Sequence, residues 1–156
     1  MVAILLGGPL LILFYILGTK RNFLYHERLG HNALLEIGDT QEKRWKLIKE
    51  YVDQRKDQSW DEIKTIITHR VPLVVYTNPI HVQEEEKQLE NIFHKIMNIH
   101  EDKELLEAYS SSKDEMIKAK DIYNSSVKQW NIFIHQMPSG IVASLFGYQE
   151  KEILKF

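Results

Sequence analysis

The chain contains no cysteine. That excludes a disulfide framework, a thiolate metal site and a cysteine nucleophile, and it leaves the compartment open. Proline and glycine are scarce, at four and seven of 156 residues, so few positions break a helix. Neither sign of charge dominates. A formal net charge of −2 excludes a globally basic nucleic-acid binder and confines any such surface to a local patch. There is no Gly-rich phosphate loop, no nucleophile motif, no internal repeat and no low-complexity tract. What remains is one domain's length of chain, with the 44% hydrophobic and 27% charged residues of a folded rather than a disordered segment.

The first feature present is an apolar run, Val2–Leu17 (VAILLGGPLLILFYIL). With Gly18 it is roughly 17 residues, the short end of what spans a bilayer as a helix. A cleaved secretory signal would carry a basic region before the run and a small-x-small site after it, and neither is there. A buried soluble helix would keep a polar face. Residues 1–19 therefore read as a single-pass transmembrane anchor, tolerant of Pro9, and residues 20–156 as a helical domain. Lys20, Arg21 and Arg28 follow at once, which by the positive-inside rule puts the bulk of the chain in the cytoplasm and the amino terminus outside. Phe23 and Tyr25 are expected at the level of the membrane interface.

Residues 20–57 carry a helical period with an inward stripe at Leu24, Leu34 or Leu35, Trp45, Ile48 and Val52, and glycines that suggest a bend near Gly38-Asp39. Ser59-Trp60-Asp61-Glu62 is a capping-box pattern, predicting a helix from Trp60 to about Arg70. Val71–Tyr76 reads as an irregular extended connection, since Pro72 bars a central strand. Asn78-Pro79 predicts the next helix start, with Val82, Leu89, Ile92, Phe93, Ile96 and Ile99 as its apolar face.

The rest of the domain is organised around Lys103–Gln136. Tyr109, Met116, Tyr123, Trp130 and Met137 fall seven apart, and Ser112, Ala119, Ser126 and Phe133 fall between them. This is the narrow seam of a long helix packed on other long helices. Ser110–Ser112 with Glu115 offers a break, but the seam keeps its phase through the serines, which predicts one helix of about 33 residues. Pro138-Ser139-Gly140 stops it. A short helix to Phe146 follows, capped by Ser139 and closed by Gly147, with Ile141, Leu145 and Phe146 turning back to cover the end of the long helix.

No residue set marks a catalytic, cofactor-binding or metal site. His26 and His31 are five apart, so their rings diverge by about 140° around a helix and cannot share a metal. His94 and His100 are likewise off-face. The acidic runs Glu84–Glu86 and Glu101-Asp102 read as solvated faces. Asn124 and Asn131, with Lys120, Lys128 and His135, form a polar stripe beside the seam. Either the asparagines bridge to a neighbouring helix and set its register, or Lys120, Asn124, Lys128 and Asn131 face a partner. Two functions from different classes stay open: a non-catalytic anchored scaffold or interaction module, and a hydrolase-like enzyme whose site is assembled across helices.

The end of the chain carries a resemblance. Tyr123–Ile134 (YNSSVKQWNIFI) resembles the Y-N-x-x-V-x-x-Y-N-x-x-I signature of the LemA family. Met137–Tyr148 (MPSGIVASLFGY) is similar to that family's F-P-S-N-I-I-A-x-L-F-G-F, departing at Gly140, where Asn is usual. A looser match runs over Ile37–Val52, with Lys49 in place of the usual Pro, and the apolar amino-terminal run fits as well. The resemblance implies a bacterial, membrane-anchored, all-α protein built as a bundle of long antiparallel helices. It implies no activity. The partners expected are the lipid bilayer, through residues 2–18, and an unidentified protein; no nucleic acid, small-molecule ligand or cofactor is expected.

Overall fold

A computed structural model describes residues 2–70 and 78–156, with side chains from residue 8 on. The extended connection expected at Val71–Tyr76 lies outside the described residues. Among them there are five α-helices and no strand: α1 (Val2–Asp53), α2 (Asp61–His69), α3 (Pro79–Ile99), α4 (Lys103–His135) and α5 (Ser139–Phe146). The all-α expectation holds. α1 runs without a break through Gly30 and Gly38, and α4 runs unbroken through the serines. The chain divides into two compact units. One is residues up to Asn32 with Ile122–Ile153; the other is Ala33–Asp121 with Leu154–Phe156.

In the first unit α1 and α4 run antiparallel. Phe23 packs edge-on against Trp130 at 5.0 Å between ring centroids, and two turns on, Gly30 approaches Tyr123 and Ser126, where an added Cβ would stand 3.7 Å and 3.5 Å from their side chains. Phe23 is fully buried with Trp130 and Ala143, and its neighbour Leu24 is exposed. One residue is 100° of helix, so the stripe starts one position earlier than the sequence suggested. Tyr25 is exposed.

The turn into α5 differs from expectation in detail. Ser139 does not cap α5; its hydroxyl donates to the Phe133 and Gln136 carbonyl oxygens at 2.8 and 2.7 Å, satisfying acceptors left over at the end of α4. Gly140 sits so close that a Cβ would lie 2.7 Å from the Ile134 carbonyl oxygen, which suits glycine where the family pattern has Asn. Gly147 closes α5 at φ 68°, as the sequence predicted. The helix buries Val142 and Ala143 instead of Ile141, Leu145 and Phe146, which are exposed, as is Met137 at the end of the seam.

The second unit is an up-down-up-down arrangement of α1, α2, α3 and α4. The pairings show it: Glu42 of α1 meets Arg70, which follows the last residue of α2, and Lys64 in the first half of α2 donates to the Arg55 carbonyl oxygen just beyond the end of α1. Glu62 and Arg70 meet Lys95 and Glu85 of α3. Arg44 and Thr40 of α1 meet Tyr109 and Ser112 of α4. Its core holds Trp45, Ile48, Val52, Trp60, Ile63, Leu89, Ile92, Phe93, Ile96, Leu105 and Tyr109. Phe93 and Tyr109 stack at 3.7 Å with planes 8° apart. Asn78 caps α3, accepting from the Ile80 amide at 2.9 Å, with Pro79 at the first position, as expected. α2 lacks the predicted capping box; a single 3-10 turn, Gln58–Trp60, leads into it with no side-chain cap.

Candidate functional site

Two constellations of polar side chains are built into the units. In the second unit, Arg44 of α1 is wholly buried, and so is Glu86 of α3. The guanidinium grips both oxygens of that carboxylate, at 2.7 and 2.6 Å. Gln41 adds a bond from Nε2 to Glu86 at 3.1 Å and one to the Val82 carbonyl oxygen at 3.0 Å. Arg44 also lies 5.3 Å from the centre of the Tyr109 ring. Burial alone would lower the Arg44 pKa, but the bonds and charge of Glu86 outweigh it and hold it above its ordinary value. Glu85 is buried as well, paired with Arg70, which also holds Glu42. The acidic run therefore is not a solvated face: two of its three carboxylates point inward to arginines that the sequence places far away.

Glu90 joins the network at 3.0 Å from the Tyr109 hydroxyl, 2.8 Å from Lys113 and 3.8 Å from Arg44. Burial pushes its pKa up; the bonds from Lys113 and Tyr109 and the charges of Lys113 and Arg44 outweigh that and hold it below the ordinary 4.5. Because the folded value lies below the unfolded one, the stabilisation is present in full above about pH 4.5 and is lost as pH falls through the folded value. Urea midpoints should drop on acidification below that pH, and Glu90→Gln should flatten the dependence. An unaltered slope in the variant would assign it to other carboxylates. Tyr109 is pushed up chiefly by burial, with the neighbouring glutamates adding to it.

The second constellation lies in the first unit and uses part of the stripe. Asn131 holds the backbone of Lys151 from both sides: Nδ2 donates to its carbonyl oxygen at 2.9 Å, and Oδ1 accepts from its amide at 3.0 Å. Trp130 Nε1 donates to the Gln149 carbonyl oxygen at 2.7 Å, and the Tyr123 hydroxyl to that of Glu152 at 3.0 Å. Tyr148 packs on Phe23 and Trp130. Residues 148–153, which form no helix, are thus strapped along α4, and burial pushes the Tyr123 hydroxyl up to about 12, with Glu152 adding to it. Asn124 is half-buried and Lys128 exposed. Lys120, in the second unit, donates to the Phe156 carbonyl oxygen.

A family model for LemA matches residues 33–156. The chain belongs to the LemA family. The match begins at Ala33, so the apolar run, which the resemblance took in, lies outside it. No curated protein and no solved structure matches the chain.

In this LemA protein the signature Tyr123–Ile134 thus has a physical role: Tyr123, Trp130 and Asn131 form a rail that holds the chain's own final segment. The side chain of Asn131 meets the backbone of Lys151 in a segment that forms no helix, where the sequence offered a neighbouring helix or a partner. Asn131→Ala leaves the Lys151 amide and carbonyl without their partner and should cost about 1–3 kcal/mol, whereas Lys128→Ala should stay within about 0.5 kcal/mol; thermal melts of the two variants compare them directly.

The second unit also has a cleft of about 820 Å³ lined by Glu36, Asp39, Glu42, Trp45, Arg70 and Glu115, among others. Its guanidinium is held by two carboxylates and lies over the Trp45 ring at 4.7 Å. Among the described residues no group of three or more His, Asp or Glu side chains is placed to hold a metal ion. His100 Nδ1 instead meets the Tyr51 hydroxyl at 3.0 Å.

Proposed function

We propose that this LemA protein is a membrane-anchored, non-catalytic helical scaffold that presents its bundle to a protein partner at the cytoplasmic face of the cell membrane. The observation that carries the reading is the exposure of Leu10, Leu11, Ile12, Leu13, Phe14 and Leu17. Consecutive residues point around the whole helix, so α1 is apolar on every side there, while Phe23 a few residues on is fully buried. Apolar area left in water costs about 25 cal/mol per Å², a cost that hydrocarbon removes. Among the described residues no helix is long and apolar enough to cross a membrane; the part of the run with described side chains, Gly8–Leu17, is about half of the roughly 20 residues that a span needs. The sequence supplies Val2–Gly7 ahead of it.

The buried ionisable groups favour a scaffold over an acid–base catalyst. Arg44, Glu85, Glu86 and Arg70 are engaged with one another, and arginine does not exchange its proton in the working range. The enzyme reading would rest on the cleft, where Glu42 and Glu115 border Trp45. Orientation and anchoring are tested together in cells. The full chain should resist extraction by alkaline carbonate, and a reporter active only outside the membrane, fused after Phe156, should stay silent. Release by carbonate would overturn the anchor, and strong reporter activity would overturn the orientation.

A further inference from the structure

The first unit carries an apolar surface that its own packing leaves open. Met137 is 69% exposed, Ile141 51%, Leu145 68% and Phe146 41%. Met137–Gly147 contains no charged residue, although much of this segment faces out. On the inner face of α5, Ala143 rests against Phe23 and Trp130, and Val142 is buried. α5 is therefore fixed beside the part of α1 that immediately follows the exposed apolar run. The contact is direct: Lys20 Nζ lies 4.6 Å above the Phe146 ring, and Lys20 is three residues, about one helical turn, after Leu17.

We infer that α5 is an interfacial helix, lying on the bilayer with Ile141, Leu145 and Met137 dipped into the headgroup–acyl boundary beside the anchor. The inference rests on the membrane attachment proposed above and adds a second, in-plane contact to it. Three features select lipid as the occupant. The patch is continuous with the apolar run through Lys20 and Phe146. Its border carries Lys20, whose ammonium lies over Phe146 and can meet anionic headgroups while its stem lies along the apolar surface. And a short, uncharged, apolar-faced helix on a firm inner face is the geometry of a helix that lies in the membrane plane, with its apolar side about 5–10 Å deep. Such a contact would fix the rotation of α1 about its axis, which a single span alone leaves free.

The absence of cysteine makes the test clean, because an introduced thiol is unique. Full-length protein carrying Leu145→Cys, Met137→Cys, Leu11→Cys or Leu106→Cys, each labelled with an environment-sensitive nitrobenzoxadiazole dye, is reconstituted into phosphatidylcholine–phosphatidylglycerol vesicles. All four positions are apolar and exposed, so the label displaces no core side chain. At Leu145 and Met137 the emission should shift to the blue, resist aqueous iodide and fall about twofold or more with a spin label near the top of the acyl chains, the depth expected for an interfacial helix. The Leu106 label, in the second unit, should behave as in water. If Leu11 is quenched by lipid while Leu145 and Met137 respond only to iodide, the inference falls and the anchor stands. If Leu11 is not quenched, the anchor itself falls. A blue shift at Leu145 without lipid quenching would assign the patch to a protein contact and would also overturn the inference.

Discussion

Replacing Arg44 by methionine is expected to destabilise the second unit by about 3–5 kcal/mol, because it strands the buried Glu86 carboxylate without a counter-charge. Arg44 is wholly buried and makes two short bonds to Glu86. It also lies within reach of Glu90 and over Tyr109. A loss of this size is a large share of a domain's stability. The double variant Arg44→Met/Glu86→Leu should recover most of it, since two apolar side chains of similar volume replace a pair whose attraction is largely offset by the cost of removing it from water. Chemical denaturation of the wild type, both single variants and the double variant gives the coupling between the two sites. A single Arg44→Met variant as stable as wild type would mean that the carboxylate is not buried as described. The pair's remaining effect is on register: it ties α1 to α3 at one position along their length.

Trp130→Ala is expected to cost a comparable 3–5 kcal/mol in the first unit, the range for truncating a large buried aromatic. Trp130 is buried in the cluster with Phe23 and Ala143. Its ring meets Phe23 and Tyr148 at about 5 Å, and its indole nitrogen holds the Gln149 carbonyl oxygen. The substitution therefore empties the cluster and releases part of the strap. Amide hydrogen exchange should show lost protection of the Lys151 amide, which Asn131 accepts, alongside a lower melting temperature. Met137→Ala is the matched control from the same seven-residue repeat. Met137 is exposed, so its loss should move the melt by no more than about 0.5 kcal/mol. Equal effects at the two positions would contradict the observed end of the seam.

The seam itself was legible because helical periodicity is a local property. Tyr109, Met116, Tyr123 and Trp130 recur at a spacing that places them on one side of a helix whatever it packs against, and all four are buried. The continuity of α4 through Ser110–Ser112 follows from the same phase. Asn78-Pro79 and Gly147 were readable for another local reason: a cap and a left-handed residue act within a turn of backbone.

The misreadings lie where the outcome depends on a partner element. Glu85 and Glu86 look like a solvated acidic run because a sequence window holds no arginine near them. Arg70 and Arg44 reach them only once α1, α2 and α3 are side by side. Periodicity showed that α1 has an inner face, but whether Phe23 or Leu24 lies on it was settled by the ring of Trp130, more than a hundred positions away in the sequence. Asn131 was recognisable as a polar residue beside a seam. That it clasps an extended strap was not, since residues 148–153 have no period to read and take their path from the side chains of α4. Composition and spacing by themselves determined the all-α class, the long helix α4 and the absence of thiol chemistry, and the motifs over Tyr123–Tyr148 pointed to the family, because each depends on residue identity or on neighbours within a few turns. The charged core, the inner face of α5 and the strap were decided by tertiary structure, because each is a pairing between residues that only the fold brings together.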